Sequence, residues 1–159
     1  MRIDIGGADS PKQGFASVDK YYSADYKADF TNLPFPDNSI QEVYTSHTLE
    51  HLGKKEAPLA LKEIYRVLQP NGIFTIIVPD LEWIAIYWYQ SKDKTGFLLD
   101  AIYGNQNHEG EFHKTGFTKE SLQKLVESVG LKITKSEYIW DHEVQSIIIE
   151  GVKDGKSNI

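Results

Sequence analysis

Six apolar or β-branched residues in a row, Ile73 to Val78 (IFTIIV), constrain this chain more than any other stretch. A strand with one wet face alternates, so an unbroken run of this length reads as a strand buried on both faces, the habit of parallel sheets flanked by helices. Before it, Ala60, Leu61, Ile64, Val67 and Leu68 keep near-helical spacing, with Pro58 tolerable only in the first turn and Gln69-Pro70-Asn71-Gly72 as the stop. Pro79 and Asp80 close the strand. A helix followed by a buried strand is the repeating unit of an α/β sheet.

The preceding residues supply more such strands. Arg2 to Ile5 runs straight into Gly6 and Gly7, where missing Cβ atoms let the backbone turn sharply and approach a ligand. Ala8 to Gly14 (ADSPKQG) has no apolar periodicity, so the helix that ordinarily follows a first strand, helix A, is reduced or absent. Phe15 to Asp19 is a second strand ending in a carboxylate, and Tyr26 to Ala28 a short third before Asp29 and Phe30. A Pro-rich turn (Pro34, Pro36, Asp37, Asn38) then leads to a strand with Ile40, Val43, Tyr44 and Thr45. That strand ends in a polar elbow, Ser46, His47, Glu50 and His51, where Ser and Thr before Glu read as a helix start. Open α/β sheets bind ligands at the carboxyl ends of their strands, so the elbow is expected to face a pocket.

Beyond the central strand, Leu81 to Gln90 is apolar nearly all round, which implies burial on more than one side. Its Trp83 and Tyr87, four residues apart, are expected to face the site, and its remaining aromatic surface to meet a second copy in a homodimer. Asp93 to Gly116 is polar and aperiodic, a long loop placed to select the substrate. Thr118 caps an amphipathic helix bearing Leu122, Leu125, Val126 and Val129, with Gly130 at the exit. A strand from Leu131, a Trp140-Asp141-His142 turn and a strand through Ile147, Ile148 and Ile149 must pair antiparallel, because no helix joins them. Residues 1–159 read as a single domain with 154–159 a frayed tail. The fold class is α/β, doubly wound and mostly parallel, with an antiparallel C-terminal strand.

Composition mainly excludes. The absence of cysteine removes disulfides, thiolate zinc sites and cysteine nucleophiles, and fits a reducing, cytoplasmic setting. No apolar run reaches the roughly 20 residues of a membrane span, and MRIDIGG lacks the core of a signal peptide, so no membrane partner is expected. A net charge of −6 opposes attraction to phosphate backbones, so the expected partner is a small-molecule acceptor rather than nucleic acid.

The order of these features is itself informative: a glycine turn after the first strand, the acid-ended strand, Asp29-Phe30, LPFPDNS, SHTLEHL, a helix ending YRVLQPNG, IIVPDLE, and later HKTGFTKESLQKLVESVGL. In that order the chain resembles the class I S-adenosylmethionine-dependent methyltransferases, in a compact bacterial branch. The resemblance implies S-adenosylmethionine as cofactor, with Asp4, Gly6 and Gly7 bordering its methionine part and Asp19 accepting hydrogen bonds from both ribose hydroxyls. It puts Asp29 and Phe30 at the adenine and Ser46 and His47 beneath the cofactor, and it implies no metal. A sulfonium already activates the methyl, so the protein's work is to align donor and acceptor and exclude water. For a hydroxyl or amine on a small molecule or saccharide a base helps, and His113 and His47 are the catalytic candidates. Two alternatives stay open. One is a non-catalytic or degenerate cofactor-binding domain. The other is a zinc-dependent hydrolase, since His47-Thr48-Leu49-Glu50-His51 reads H-x-x-E-H and a helix would put two ligands and a base on one face.

Overall fold

In the computed structural model, which describes residues 1–92 and 96–155, the short apolar segments join one seven-stranded sheet. Its strands are β1 (Arg2–Ile5), β2 (Ala16–Asp19), β3 (Tyr26–Lys27), β4 (Ile40–Ser46), β5 (Leu68–Pro79), β6 (Leu131–Asp141) and β7 (Val144–Lys153), in the order β3-β2-β1-β4-β5-β7-β6. Pairing is parallel from β3 through β5, and β7 enters antiparallel between β5 and β6. The mostly parallel sheet with an antiparallel C-terminal strand is therefore the fold this chain adopts. Helix A is absent: residues 6–15 form only turns.

Register decides where the core lies. Ile3, Val43, Phe74 and Gly151 align across four strands, and two residues further on Ile5, Thr45, Ile76 and Ile149 do the same. Against this face pack Ala57, Ala60, Leu61, Ile64 and Val67 of helix α1 (Glu56–Val67) and Leu122 and Val126 of the helix at Lys119–Ser128. The opposite face is thinner than the sequence implies: Ile73 is 45% exposed, and burial on both faces of β5 is reached only from Ile76 to Pro79. No helix stands between β1 and β2 on this sheet. In its place the residue 6–15 loop sets the Lys12 ammonium 5.0 Å from the Phe15 ring centre and 4.4 Å from that of Tyr44.

Three further expectations change. In α2 (Leu81–Gln90) only Ile84 is fully buried, while Ile86, Tyr87 and Tyr89 are exposed. Trp83 stacks flat on Tyr87 (4.9 Å, 8°) and edge-on to Trp140 (5.4 Å), so this face covers the end of the β6–β7 hairpin instead of the site. The stretch expected to be a loop contains α3 (Phe97–Tyr103) and a 3-10 turn at Glu109–Glu111; seven residues are too few to show a helical period, and Leu98 alone is buried. Of that stretch residues 93–95, and of the expected frayed tail residues 156–159, lie outside the described residues.

The Lys119–Ser128 helix, α4, starts at the expected cap: Thr118 Oγ1 accepts from the Ser121 N–H (3.2 Å), and Ser121 Oγ accepts from the Thr118 N–H (2.9 Å). Thr118→Ala is expected to cost about 1 kcal/mol, read as a lower urea midpoint at unchanged slope.

Candidate active site

The strand order reverses at β1, which has β2 on one side and β4 on the other, and such switch points open a crevice outside the carboxyl ends. β1 ends there in Gly6 at φ +86°, where a Cβ would lie 2.0 Å from Thr48 Oγ1. Thr48 Oγ1 is 3.2 Å from the Ile5 carbonyl and 3.0 Å from that of Ser46, which ties β1 to β4. The same hydroxyl is thereby unavailable as a helix cap. In place of the helix expected from Ser46, the elbow holds a single 3-10 turn, Leu49–His51, without a side-chain cap.

A cavity of about 260 Å³ fills the crevice, and Gly6, Asp19, Asp29, Phe30 and His47 all line it. Asp19 Oδ1 accepts from the N–H groups of Tyr21 (2.7 Å) and Tyr22 (2.8 Å), which bends both tyrosines into the wall. Burial alone would raise the pKa of Asp29, but the Lys20 ammonium at 2.8 Å and the N–H and hydroxyl of Thr31 outweigh it and hold the carboxylate below its ordinary range. Residues 109–111 form part of the cavity wall. They are fastened by a relay in which His108 Nε2 meets the Tyr22 hydroxyl (2.6 Å) and that hydroxyl donates to Glu111 Oε1 (2.8 Å).

Asp4, Gly7 and Ser46 do not line this cavity. Asp4 points to the opposite sheet face from Ile3 and Ile5; its buried carboxylate accepts the Lys12 N–H at 2.8 Å and holds the 6–15 loop down. Gly7 lies over that carboxylate, where a Cβ would approach to 2.8 Å. Ser46 Oγ sits 3.5 Å from Asp141 Oδ2.

A second cavity of about 330 Å³ opens under α3, lined by Phe97, Asp100, Asn105, His113 and His142 among others. It shares His47, His51 and Glu111 with the first. The backbone brings the distant His113 here because the Glu50 carbonyl accepts the N–H groups of Lys114 (2.8 Å) and Thr115 (3.1 Å). His47 occupies the elbow at φ 50°, with Nε2 3.3 Å from Asp141 Oδ2 and its ring 4.5 Å from that of His142. Burial, then the neighbouring His142, push its pKa down to about 4 against the pull of Asp141. Burial raises the Glu50 carboxyl to about 8 and also lowers His51 and His113. At pH 7 the three imidazoles are neutral.

The zinc-hydrolase reading through His47, Glu50 and His51 together fails on this geometry. With one 3-10 turn in place of a helix, His47 groups with Asp141 and His142, and His51 groups elsewhere. Sequence reasoning also gave no site role to Thr48, Tyr22 and Asp141. Thr48 lies within SHTLEHL and was open to notice, whereas nothing local links Tyr22 to Glu111, 89 residues away.

Residues 7–76 match the family model of a methyltransferase domain. The sterol 24-C-methyltransferase of Pneumocystis carinii is 32% identical over 130 residues, 80% of this chain and 30% of that protein. A ubiquinone/menaquinone biosynthesis C-methyltransferase of Neisseria meningitidis is 47% identical over 60 residues, 38% of this chain and 22% of its own length. The chain thus spans about a third or less of the curated relatives it matches. Among solved structures, a Methanosarcina mazei S-adenosylmethionine-dependent methyltransferase aligns with TM-score 0.69 at 15% identity, over 98% of this chain and 92% of that one. The Burkholderia thailandensis 1,6-didemethyltoxoflavin-N1-methyltransferase, solved with its acceptor and S-adenosylhomocysteine, aligns with TM-score 0.66 at 16% identity, over 96% and 71%. A methyltransferase-domain match over residues 7–76, under half of the chain, and TM-scores of 0.69 and 0.66 against structures of 15% and 16% identity give this chain the fold of the S-adenosylmethionine-dependent methyltransferases.

Proposed function

We propose that this chain transfers a methyl group from S-adenosylmethionine to a small polar molecule seated in the second cavity. The observation that carries the reading is the shared wall: cavities of about 260 and 330 Å³ meet at His47, His51 and Glu111. The first fits the cofactor by its donor set. Gly6 leaves room beside the strand end, Asp19 offers its second carboxylate oxygen to a ribose diol, and Asp29 with Phe30 offers an acceptor and an apolar edge to a base. When bound, the cofactor supplies a methyl on a sulfonium leaving group. The chain's own work is alignment and exclusion of water, and the Tyr22–Glu111 hydrogen bond holds that part of the wall in place.

Phe97, Asp100 and Asn105 in the second cavity suit a hydroxylated or amine-bearing acceptor, a saccharide included. His47, neutral at pH 7 and present in both cavities, is placed to take the proton such an acceptor releases, and Asp141 at 3.3 Å stabilises the resulting imidazolium. A domain that only held cofactor would have no use for the second cavity, which disfavours the degenerate reading.

Calorimetric titration tests this. Micromolar-range binding of S-adenosylhomocysteine is expected, and Asp19→Ala should weaken it by at least about 1.5 kcal/mol, roughly tenfold, as for lost hydrogen bonds to a charged acceptor. Asp19→Asn retains a carbonyl for the tyrosine N–H groups and separates the ribose contact from the turn. Wild-type protein that binds no S-adenosylhomocysteine would contradict the proposal.

A further inference from the structure

Glu50 is 2% exposed, lines the second cavity, and has no hydrogen-bond partner on either carboxylate oxygen; its nearest ring nitrogen, His47 Nδ1, stands 3.6 Å off. An acid left in this condition costs stability unless something binds it. One donor atom each from Glu50, His51 and His113 lies within 4.8 Å of the others. The histidines are set for ligation by a second feature. His51 Nδ1 is 3.1 Å from the Phe112 carbonyl and His113 Nδ1 is 3.1 Å from the Ala101 carbonyl. A carbonyl only accepts, so each Nδ1 carries the proton and each Nε2 keeps its lone pair, the arrangement in which metal-binding histidines are ordinarily held.

We infer that Glu50, His51 and His113 form a site for one divalent transition-metal ion in the wall of the second cavity. Donors each roughly 2.1 Å from one ion are at most about 4.2 Å apart, so side-chain adjustments of about an ångström complete the geometry. Two imidazoles and a carboxylate with no thiolate suit zinc, cobalt or iron in the divalent state, and three protein ligands leave a position open toward the cavity. The other trio, His47, Asp141 and His142, is the weaker candidate, because Asp141 is already engaged by Ser46, His47 and His142. This replaces the expectation of a metal-free site. Binding of the ion stands by itself; its use, to ligate an acceptor oxygen or nitrogen beside the shared wall, rests on the methyl-transfer reading.

The test uses the full chain stripped with chelator and titrated with Co²⁺, followed by calorimetry and visible d–d absorption. One equivalent is expected to bind. His113→Ala and Glu50→Gln should each weaken it by more than about 100-fold, beyond what loss of an outer partner costs, while His142→Ala leaves it within about twofold. Stripped Glu50→Gln is expected to melt no lower than the stripped parent, since it removes a buried acid; His113→Ala decides the matter if Glu50→Gln does not fold. Absence of saturable Co²⁺ binding overturns the inference, as does loss in His142→Ala with retention in His113→Ala. S-adenosylhomocysteine binding measured on the same samples keeps the two readings apart: lost Co²⁺ with retained nucleoside sinks only the metal site, and the converse sinks only the proposed function.

Discussion

Gly6→Ala is expected to lower stability by about 3 kcal/mol and to abolish S-adenosylhomocysteine binding. Two costs combine. At φ +86° an L side chain is strained by roughly 1–2 kcal/mol, and forcing a methyl into filled space adds about 1–3 more. The filled space is specific: the new Cβ would fall 2.0 Å from Thr48 Oγ1 and 2.9 Å from its Cγ2. Thr48 must move, and its hydroxyl then releases the carbonyls of Ile5 and Ser46 that it holds together. Those carbonyls end β1 and β4, so the crevice itself widens. Urea unfolding reads the first effect and calorimetry the second. Gly53→Ala is the matched control, since a Cβ there meets only the flexible Glu56 carboxylate at 3.2 Å and should change stability by no more than about 0.5 kcal/mol. A Gly6→Ala protein that binds like the parent would show that the β1–β4 junction does not shape the cavity.

Arg66→Ala is expected to cost about 2–4 kcal/mol although the residue lies far from the cavities. Its guanidinium donates to Glu63 through Nε (2.6 Å) and Nη2 (2.7 Å), to the carbonyls of Phe35 (2.7 Å) and Leu33 (3.0 Å), and to Asp37 (2.8 Å). Glu63 also accepts the Leu33 N–H at 2.7 Å. One side chain thus fastens the Pro-rich turn onto α1, and truncation strands a half-buried carboxylate and two carbonyls together. The pH dependence has a definite sign. Hydrogen bonding by Arg66 outweighs burial and lowers the Glu63 pKa from its ordinary value near 4.5. The stabilisation is therefore complete above about pH 4.5 and lost as pH falls through the depressed folded value, so the gap between parent and variant should narrow in acid. A gap that stays constant down to pH 3 would mean that Glu63 is not the partner that matters.

This cluster also shows what the sequence makes legible. LPFPDNS and YRVLQPNG are readable as a turn and a helix end, and the strands, the glycine turn and α4 follow from local pattern and caps. That Arg66 of one motif clamps Leu33 and Phe35 of the other depends on how α1 docks, which periodicity does not encode. The site divides likewise. Gly6, Asp19, Asp29, Phe30 and His47 converge because each ends or follows a strand of one parallel sheet, whose carboxyl ends meet at one edge. Asp4 and Ser46 sit on the same strands yet turn elsewhere, since alternation along a strand sends neighbouring side chains to opposite faces. The grouping of Glu50 with His113 follows from backbone bonds at Lys114 and Thr115, and α2 is drawn to Trp140 by aromatic contact across the hairpin. Both are tertiary effects without a local signal.

The most direct test of two cavities meeting at one wall is a crystal structure with S-adenosylhomocysteine bound. The expected density places adenine between Asp29 and Phe30, the ribose diol on Asp19, and the thioether sulfur at the His47 and His51 wall facing the second cavity. Nucleoside density in the second cavity, or a sulfur turned away from His47 toward solvent, would contradict it.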